Sequence, residues 1–454
     1  MTAGVLLVEH VLLLAHPPAA AILAFAVLSL VLLGNARDPA LALACVGLVT
    51  ISWDRVSVRT GGMTLKPAYI AFTLALLVEI LRNLDGAPLE RIRERGRLVR
   101  VAVGASLLLL AVATVRGGYL LEGGRQLFVI VVGALVPAWV CFRLGRTPER
   151  RRTLVAWALA GAGLAAAFGI YQFGAGYLGL PAILSYTGTG AILDRTAGLS
   201  YEPAFFAMYL IAMLPAVVVL LLDPVDERTV RTAPHLLFGL LVAGVLVSNA
   251  RAGYLALPLA VVVPLVSRRP RAIRSRPVML LGATFAGLLL LSVAVRFDAP
   301  GFVAARLGSI ADTTEQASNA PRLQLYEADR RIAGDHLPLG IGPGALGYYL
   351  PEYGYPVANP DLTRVVANNI WLQAVLDGGI LGPVGVAVVI GVLFRVSRRS
   401  RDPYGRWLAF GAFLALTIGG MLTSNFWDAR YWSLIGLALA ADMAAARTAT
   451  PALQ

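Results

Sequence analysis

Arg251 interrupts PHLLFGLLVAGVLVSNARAGYLALPLAVVVPLV, an otherwise apolar tract that reads as two helices joined by a tight turn at Ser248–Gly253. A charge at such a depth is costly and usually faces a cavity or a partner. Arg322 opens a second notable stretch, PRLQLYEADRRIAGDHLPLGIGPGALGYY, where Pro321 suits the first turn of a helix. A cation there opposes the helix dipole unless it and the exposed N–H groups converge on an anion such as phosphate. Arg195 and Glu202 flank a third element, DRTAGLSYEPAFFAMYL, and Glu202 is a candidate proton acceptor or a partner for Arg195 or Arg251. Asn368 and Asn369 open a fourth, NNIWLQAVLDGGILG, where adjacent amides can donate to a sugar or a developing oxyanion. Tyr254, Tyr326 and Arg330 complete the candidate substrate contacts.

Each residue also has a plainer explanation. Arg251 can snorkel to an interface, Arg322 can face solvent, Glu202 can be a helix-start carboxylate, and the two Asn can cap a helix. Arg331 has Glu327 four residues before it, which makes a local ion pair, and Arg330 can join that pair or face the site. His336, just before Leu337-Pro338, reads as a turn residue. The run Gly340-Ile341-Gly342-Pro343-Gly344 resembles a nucleotide loop, but its Pro removes a backbone donor and no strand is expected before it. It reads as a tight turn after a helix over 321–333, stopped at Gly334, with Asn319 as a cap. In that helix Leu325, Ala328 and Ile332 are expected to face the protein, and Arg322, Tyr326, Asp329 and Arg330 another face.

These residues are embedded in a chain of 454 residues with mean hydropathy +0.73 and only 14% charged residues, against about 25% for a soluble domain. Apolar runs fall near 18–34, 39–51, 67–81, 99–115, 125–142, 153–173, 203–222, 234–249, 252–267, 278–295, 370–394, 406–423 and 431–446, with a short candidate at 4–15. The expected fold is therefore an all-α polytopic membrane protein, residues 1–454 forming a single membrane domain of about 12–14 transmembrane helices. One large external loop, 296–369, should contain short helices. Four connections, 82–100, 143–152, 268–277 and 395–406, hold six, five, five and five Arg. Each is separated from the next by an even number of spans, so all share one side, which the positive-inside rule makes cytoplasmic. The loop 296–369, the connection 174–202 and the turn at Arg251 then face outside, where no nucleotide pool exists. The net charge of +13 is a matter of topology and does not imply nucleic acid. Cys45 and Cys141 lie in separate runs and suggest neither disulfide nor metal. No cofactor is expected.

The ordered set SYEPAFFAMYL, S-N-A-R-A-G, R-x-x-x-Y ahead of P-L-G-I-G-P-G, and N-N-I-W-L-Q followed by D-G-G-I-L-G resembles the O-antigen ligase and polymerase family of bacterial cell-surface polysaccharide synthesis, over about 190–385. The resemblance implies a bundle related to the C-type glycosyltransferases in the bacterial inner membrane, with its active site on the periplasmic side. It implies transfer of a glycan from an undecaprenyl-pyrophosphate carrier to a hydroxyl acceptor, with Arg251 and Arg322 gripping the pyrophosphate. The partners it implies are that donor, a glycan or lipid acceptor, membrane lipid and, as a further candidate, a chain-length regulator. Asn368 falls where many ligases carry His in an H-N motif. An Asn cannot take a proton, and the Glu-Pro-Ala segment looks more like polymerases, so an inverting repeat-unit polymerase of O-antigen or exopolysaccharide type is the favoured reading. The alternatives are a ligase to a lipid or protein acceptor, a membrane transporter, and a flippase for lipid-linked glycans.

Overall fold

The structure is a computed structural model that describes residues 37–60, 63–83, 97–178, 180, 195–222, 233–267, 301, 319–357, 362, 365–424 and 426–448. The runs 4–15, 18–34 and 278–295 lie outside these residues. Every other apolar run is a helix: α1 Pro39–Val49, α2 Pro67–Asn83, α3 Arg97–Arg116, α4 Leu120–Leu144, α5 Pro148–Leu178, α6 Pro203–Leu222, α7 Ala233–Val247 and α8 Arg251–Val266. After the loop helices α9 Asn319–Asp335 and α10 Leu346–Tyr349 come α11 Ile370–Gly378, α12 Gly382–Arg399, α13 Pro403–Leu414 and α14 Ala429–Thr448. Among the described residues four helical stretches are by themselves long and apolar enough to cross a membrane, Leu120–Leu144, Pro148–Ala175, Pro203–Leu222 and Ile370–Arg399. Three shorter apolar helices, α1, α7 and α8, accompany them.

Two local features depart from a uniform helical expectation. A hairpin, β1 Val58–Thr60 and β2 Met63–Leu65, pairs antiparallel between α1 and α2. The run 370–394 is two helices, because Gly379 takes φ +60 and turns the chain through a short 3₁₀ segment, Gly379–Leu381.

The centre of the bundle is α6. It is apolar all round, so it can be covered on every side, and every residue from Phe206 to Val219 is buried. It packs against α5, α7, α8 and α13. The Arg-rich connections gather at one end of the bundle. Asp38 pairs with Arg82 at 2.6 Å and with Arg150 at 2.9 Å, and Arg151 pairs with Asp402 at 2.7 Å. Arg82, Arg150 and Arg151 thus meet at one end, while 84–96, 268–277 and the run 278–295 lie outside the described residues.

At the opposite end, α9, the Gly340–Gly344 turn and α10 form a small core of their own around Leu325, Ile332, Ile341, Leu346 and Leu350. The turn is no phosphate loop. Gly340 (φ +81) and Gly342 (φ +88) press their α-carbons against neighbouring backbone: a Cβ on Gly340 would come within 2.5 Å of the Leu376 carbonyl, and one on Gly342 within 3.0 Å of the Thr114 amide nitrogen. Ile341 N–H donates to the Leu376 carbonyl at 2.7 Å. His336 packs edge-on against Tyr349, as a turn residue.

The helix expected over 321–333 runs two residues longer at each end, starting at the expected cap Asn319 and passing Gly334. Its faces need one correction: Asp329 is fully buried beside Leu325, Ala328 and Ile332, whereas Arg330 is exposed and pairs with Glu327. Both Asp329 carboxylate oxygens lack a hydrogen-bond partner, and Tyr326 and Tyr355 are the titratable groups that face it. Burial pushes its carboxyl up to about 7. The folded state therefore favours the protonated form; that stability is full below the unfolded value of about 4 and is lost as pH rises through 7. Thermal unfolding should show the native protein losing about 1.4 kcal/mol per unit between roughly pH 5 and 7, and Asp329→Asn flattening that slope.

Candidate functional site

The turn that carries Arg251 is tied at each step. The Ser248 hydroxyl donates to the Val245 carbonyl at 2.6 Å and accepts from the Ala250 N–H at 3.2 Å. Asn249 takes φ +50, a left-handed conformation that Asn tolerates better than most residues. The Tyr254 hydroxyl reaches back to the Leu246 carbonyl at 2.9 Å, fastening the start of α8 to the end of α7. Tyr254 is thus part of the frame. Arg251 becomes the first residue of α8 and is only 8% exposed.

Arg322 stands in the first turn of α9, and Tyr326 follows one turn later. The Tyr326 hydroxyl donates to the Asn368 carbonyl at 3.0 Å, joining α9 to the start of α11. The two adjacent Asn divide their tasks. Asn369 caps α11, its side-chain oxygen accepting from the N–H groups of Trp371 and Leu372 at 2.9 and 3.1 Å. Asn368 sits at φ +53 and makes the bend that precedes the cap. The Ile370 N–H donates to the Gly420 carbonyl at 2.7 Å, which fixes α11 against the end of α13.

These constraints converge. Arg251 and Arg322 line one cavity of about 650 Å³, together with Tyr326 and an apolar wall that includes Leu255, Trp371, Ile418 and Met421. Glu202 belongs to the same neighbourhood. It sits immediately before α6, its carbonyl accepting from the Phe206 N–H at 3.1 Å. Burial pushes its carboxyl above the ordinary 4.5, and the positive charges of Arg322 and Arg195 pull the other way. Arg195, Glu202 and Arg322 therefore share one electrostatic field. Arg330, on the exposed face of α9, stands apart from it and is bonded to Glu327 at 3.0 and 3.2 Å.

Sequence reasoning missed the device that holds the 195–202 segment in place. Arg430, at the start of α14, is 1% exposed. It forks onto Asp428, pairs with Asp54 at 3.1 Å and donates to the Ser200 hydroxyl at 2.9 Å. Lys66 pairs with the other Asp54 oxygen at 2.5 Å, and Asp54 also accepts from the Tyr201 N–H at 3.3 Å. Arg55 donates to the carbonyls of Ser200 and Tyr201. The connections after α1, before α6 and before α14 are thus knotted directly behind Glu202. Two signals were present: Lys66 is the only Lys in a chain of Arg, and Arg430 stands alone in a connection otherwise free of basic residues.

Residues 236–387 match the O-antigen ligase family model, Wzy_C. The likeness to that family runs from α7 to the start of α12. The matched segment, about a third of the chain, contains Arg251, Tyr254, Arg322, Tyr326, Arg330, Asn368 and Asn369. It begins after SYEPAFFAMYL, so Arg195, Glu202 and the Arg430 cluster stand outside it. No curated protein matches the chain. The chain is thus similar over 236–387 to O-antigen ligases and carries helices long and apolar enough to cross a membrane.

Proposed function

We propose that the chain is an inverting glycosyltransferase that moves a glycan from an undecaprenyl-pyrophosphate carrier to a hydroxyl of a second carrier-linked repeat unit. The observation that carries this reading is the convergence of Arg251 and Arg322 on one cavity whose remaining wall is largely apolar. A lipid diphosphate has those two halves: an anionic head that matches paired guanidinium forks, and a hydrocarbon tail that matches Leu255, Ile418 and Met421. The site end of the bundle is taken as periplasmic, because the Arg-rich connections occupy the other end.

In the proposed step the acceptor oxygen attacks the anomeric carbon from the face opposite the diphosphate. The bond from that carbon to the phosphate oxygen breaks, and its electron pair stays on the diphosphate, where Arg251 and Arg322 stabilise the growing charge. The acceptor hydroxyl loses a proton as the new C–O bond forms. Asn368 cannot take it; Glu202, whose carboxyl is more basic than usual through burial, can. A base works in its deprotonated form, so the rate should rise with pH through a pKa above 4.5. Glu202→Gln should lower kcat on the order of 10²-fold and remove that acidic limb, as read in a pH–rate profile. Polymerase is preferred to ligase because the position of the ligase His holds Asn368 and a buried carboxylate sits elsewhere.

The deciding experiment is reconstitution of the purified protein in liposomes with lipid-linked repeat units and no ion or potential gradient. Growth of longer lipid-linked chains supports the enzyme. Movement of the substrate across the bilayer without chain growth sinks it in favour of a flippase.

A further inference from the structure

A second cavity, of about 200 Å³, lies across the start of α11 from the first. Trp371 lines the first cavity, whereas Ile370 and Gln373 line the second. The segment after α13 divides them in the same way: Met421 and Leu422 face the first, Ser424 and Trp427 the second. The two cavities are therefore separated by the first turn of α11 and the segment of chain bonded to it.

The chemistry of the second cavity is different. No Lys, Arg or His is among the described residues that line it. Tyr69 and Trp427 supply aromatic surface, and Gln126, Gln373, Asp377, Ser424 and Asp428, the last already bonded to Arg430, supply polar groups. Trp427 is held by a stack on Trp432, centroids 5.2 Å apart and planes at 11°, and by an edge contact with Phe426. Gln373 is held at both ends, accepting from the Ala367 N–H at 2.8 Å and donating to one Asp377 oxygen at 2.7 Å. The side chains of Gln126 and Ser424 make no hydrogen bond to a described residue, so their donors and acceptors remain available to a guest.

We propose that this cavity is the acceptor subsite and binds an uncharged sugar ring of the growing glycan. The proposal rests on the glycan-transfer reading above. A pyranose presents an apolar C–H face, which suits a fixed aromatic ring, and hydroxyls that both donate and accept, which suit amides, a hydroxyl and a carboxylate. A lipid chain would leave those polar groups unmatched, which is costly for groups withdrawn from water. An anionic sugar or a phosphate would meet Asp377 and Asp428 with no cation among the described lining residues, so neutral hexoses, deoxyhexoses and N-acetylated amino sugars are the class that fits. The volume is below the ~300–1,000 Å³ of a drug-sized site, which matches a single ring rather than a long segment. Placing the acceptor here delivers its hydroxyl over the first turn of α11 toward the first cavity, from the side away from the arginines.

The test uses full-length protein in detergent on an array of bacterial surface glycans, both neutral and acidic. Native protein should retain neutral glycans. Trp427→Ala should weaken this at least tenfold, and Gln126→Ala several-fold; the latter breaks no internal hydrogen bond and keeps the test open where Trp427→Ala folds poorly. Arg330→Ala, which removes an exposed guanidinium paired with Glu327, should bind as the native protein does. Retention of acidic glycans alone, no retention at all, or displacement of the glycan by phospholipid overturns the proposal, as does native-strength binding by both cavity variants. Binding that depends on Gln126 or Trp427 in a protein that transfers nothing supports the sugar site and sinks the transfer reading. Transfer with binding indifferent to both residues supports the transfer reading and sinks the site.

Discussion

Arg322→Ala and Arg251→Ala should each lower glycan transfer by 10²–10³-fold, about 2.7–4 kcal/mol in the barrier, while the protein still inserts and purifies as the native chain does. Both guanidiniums line the same cavity, so each removal takes away a donor aimed at charge that grows only as the glycosidic bond breaks. The loss should therefore fall mainly on kcat, read from chain growth in liposomes at saturating donor. Lys at either position keeps the charge but not the planar fork, and should recover only part of the rate. Arg330→Ala supplies the contrast. Its guanidinium is exposed and bonded to Glu327, so its removal should change transfer less than twofold. Full polymer output from either Arg251→Ala or Arg322→Ala would end the proposed chemistry.

Arg430→Met should destabilise the protein by about 3–5 kcal/mol, because it strips Asp428 of the guanidinium that forks onto it and leaves buried Asp54 with Lys66 alone. Met keeps much of the volume, so the loss reports charge rather than cavity formation. The measurement is the thermal unfolding midpoint in detergent, with the fraction surviving a heat step as a second reading. Arg430→Lys should fall between, since one ammonium cannot reach Asp54, Asp428 and Ser200 together as the fork does. The functional consequence follows from the same contacts. Ser200 and Tyr201 are held by Arg430, Arg55 and Asp54, and Glu202 is next in the chain. The folded fraction of the Arg430 variants should lose kcat as well, and the acidic limb of the pH profile should move as Glu202 loses its fixed surroundings. Ordinary kcat per folded molecule would show that the cluster stabilises without positioning.

The sequence by itself determined where the helices lie, which connections share an end, and that Arg251 and Arg322 are anomalous for their settings. Apolar runs and Arg-rich breaks carry that information directly, because each span must be apolar over its length and each turn must be polar. It also determined the helix after Asn319 and the cap at the paired Asn, both set by residues within a few positions of one another. Only the tertiary structure decided how the helices are rotated. In a membrane bundle, lipid and protein are equally apolar neighbours, so an apolar stripe does not say which side faces the core. In the loop helix α9 the local pattern is equally silent about which neighbours will cover a residue: Asp329, placed by the sequence on the face of Arg322, is found among Leu325 and Ile332. For the same reason the pairing of Arg430 with Asp54, the field around Glu202 and the two cavities flanking α11 could not be read in advance. Each depends on side chains brought together from distant parts of the chain, where no local spacing records the meeting.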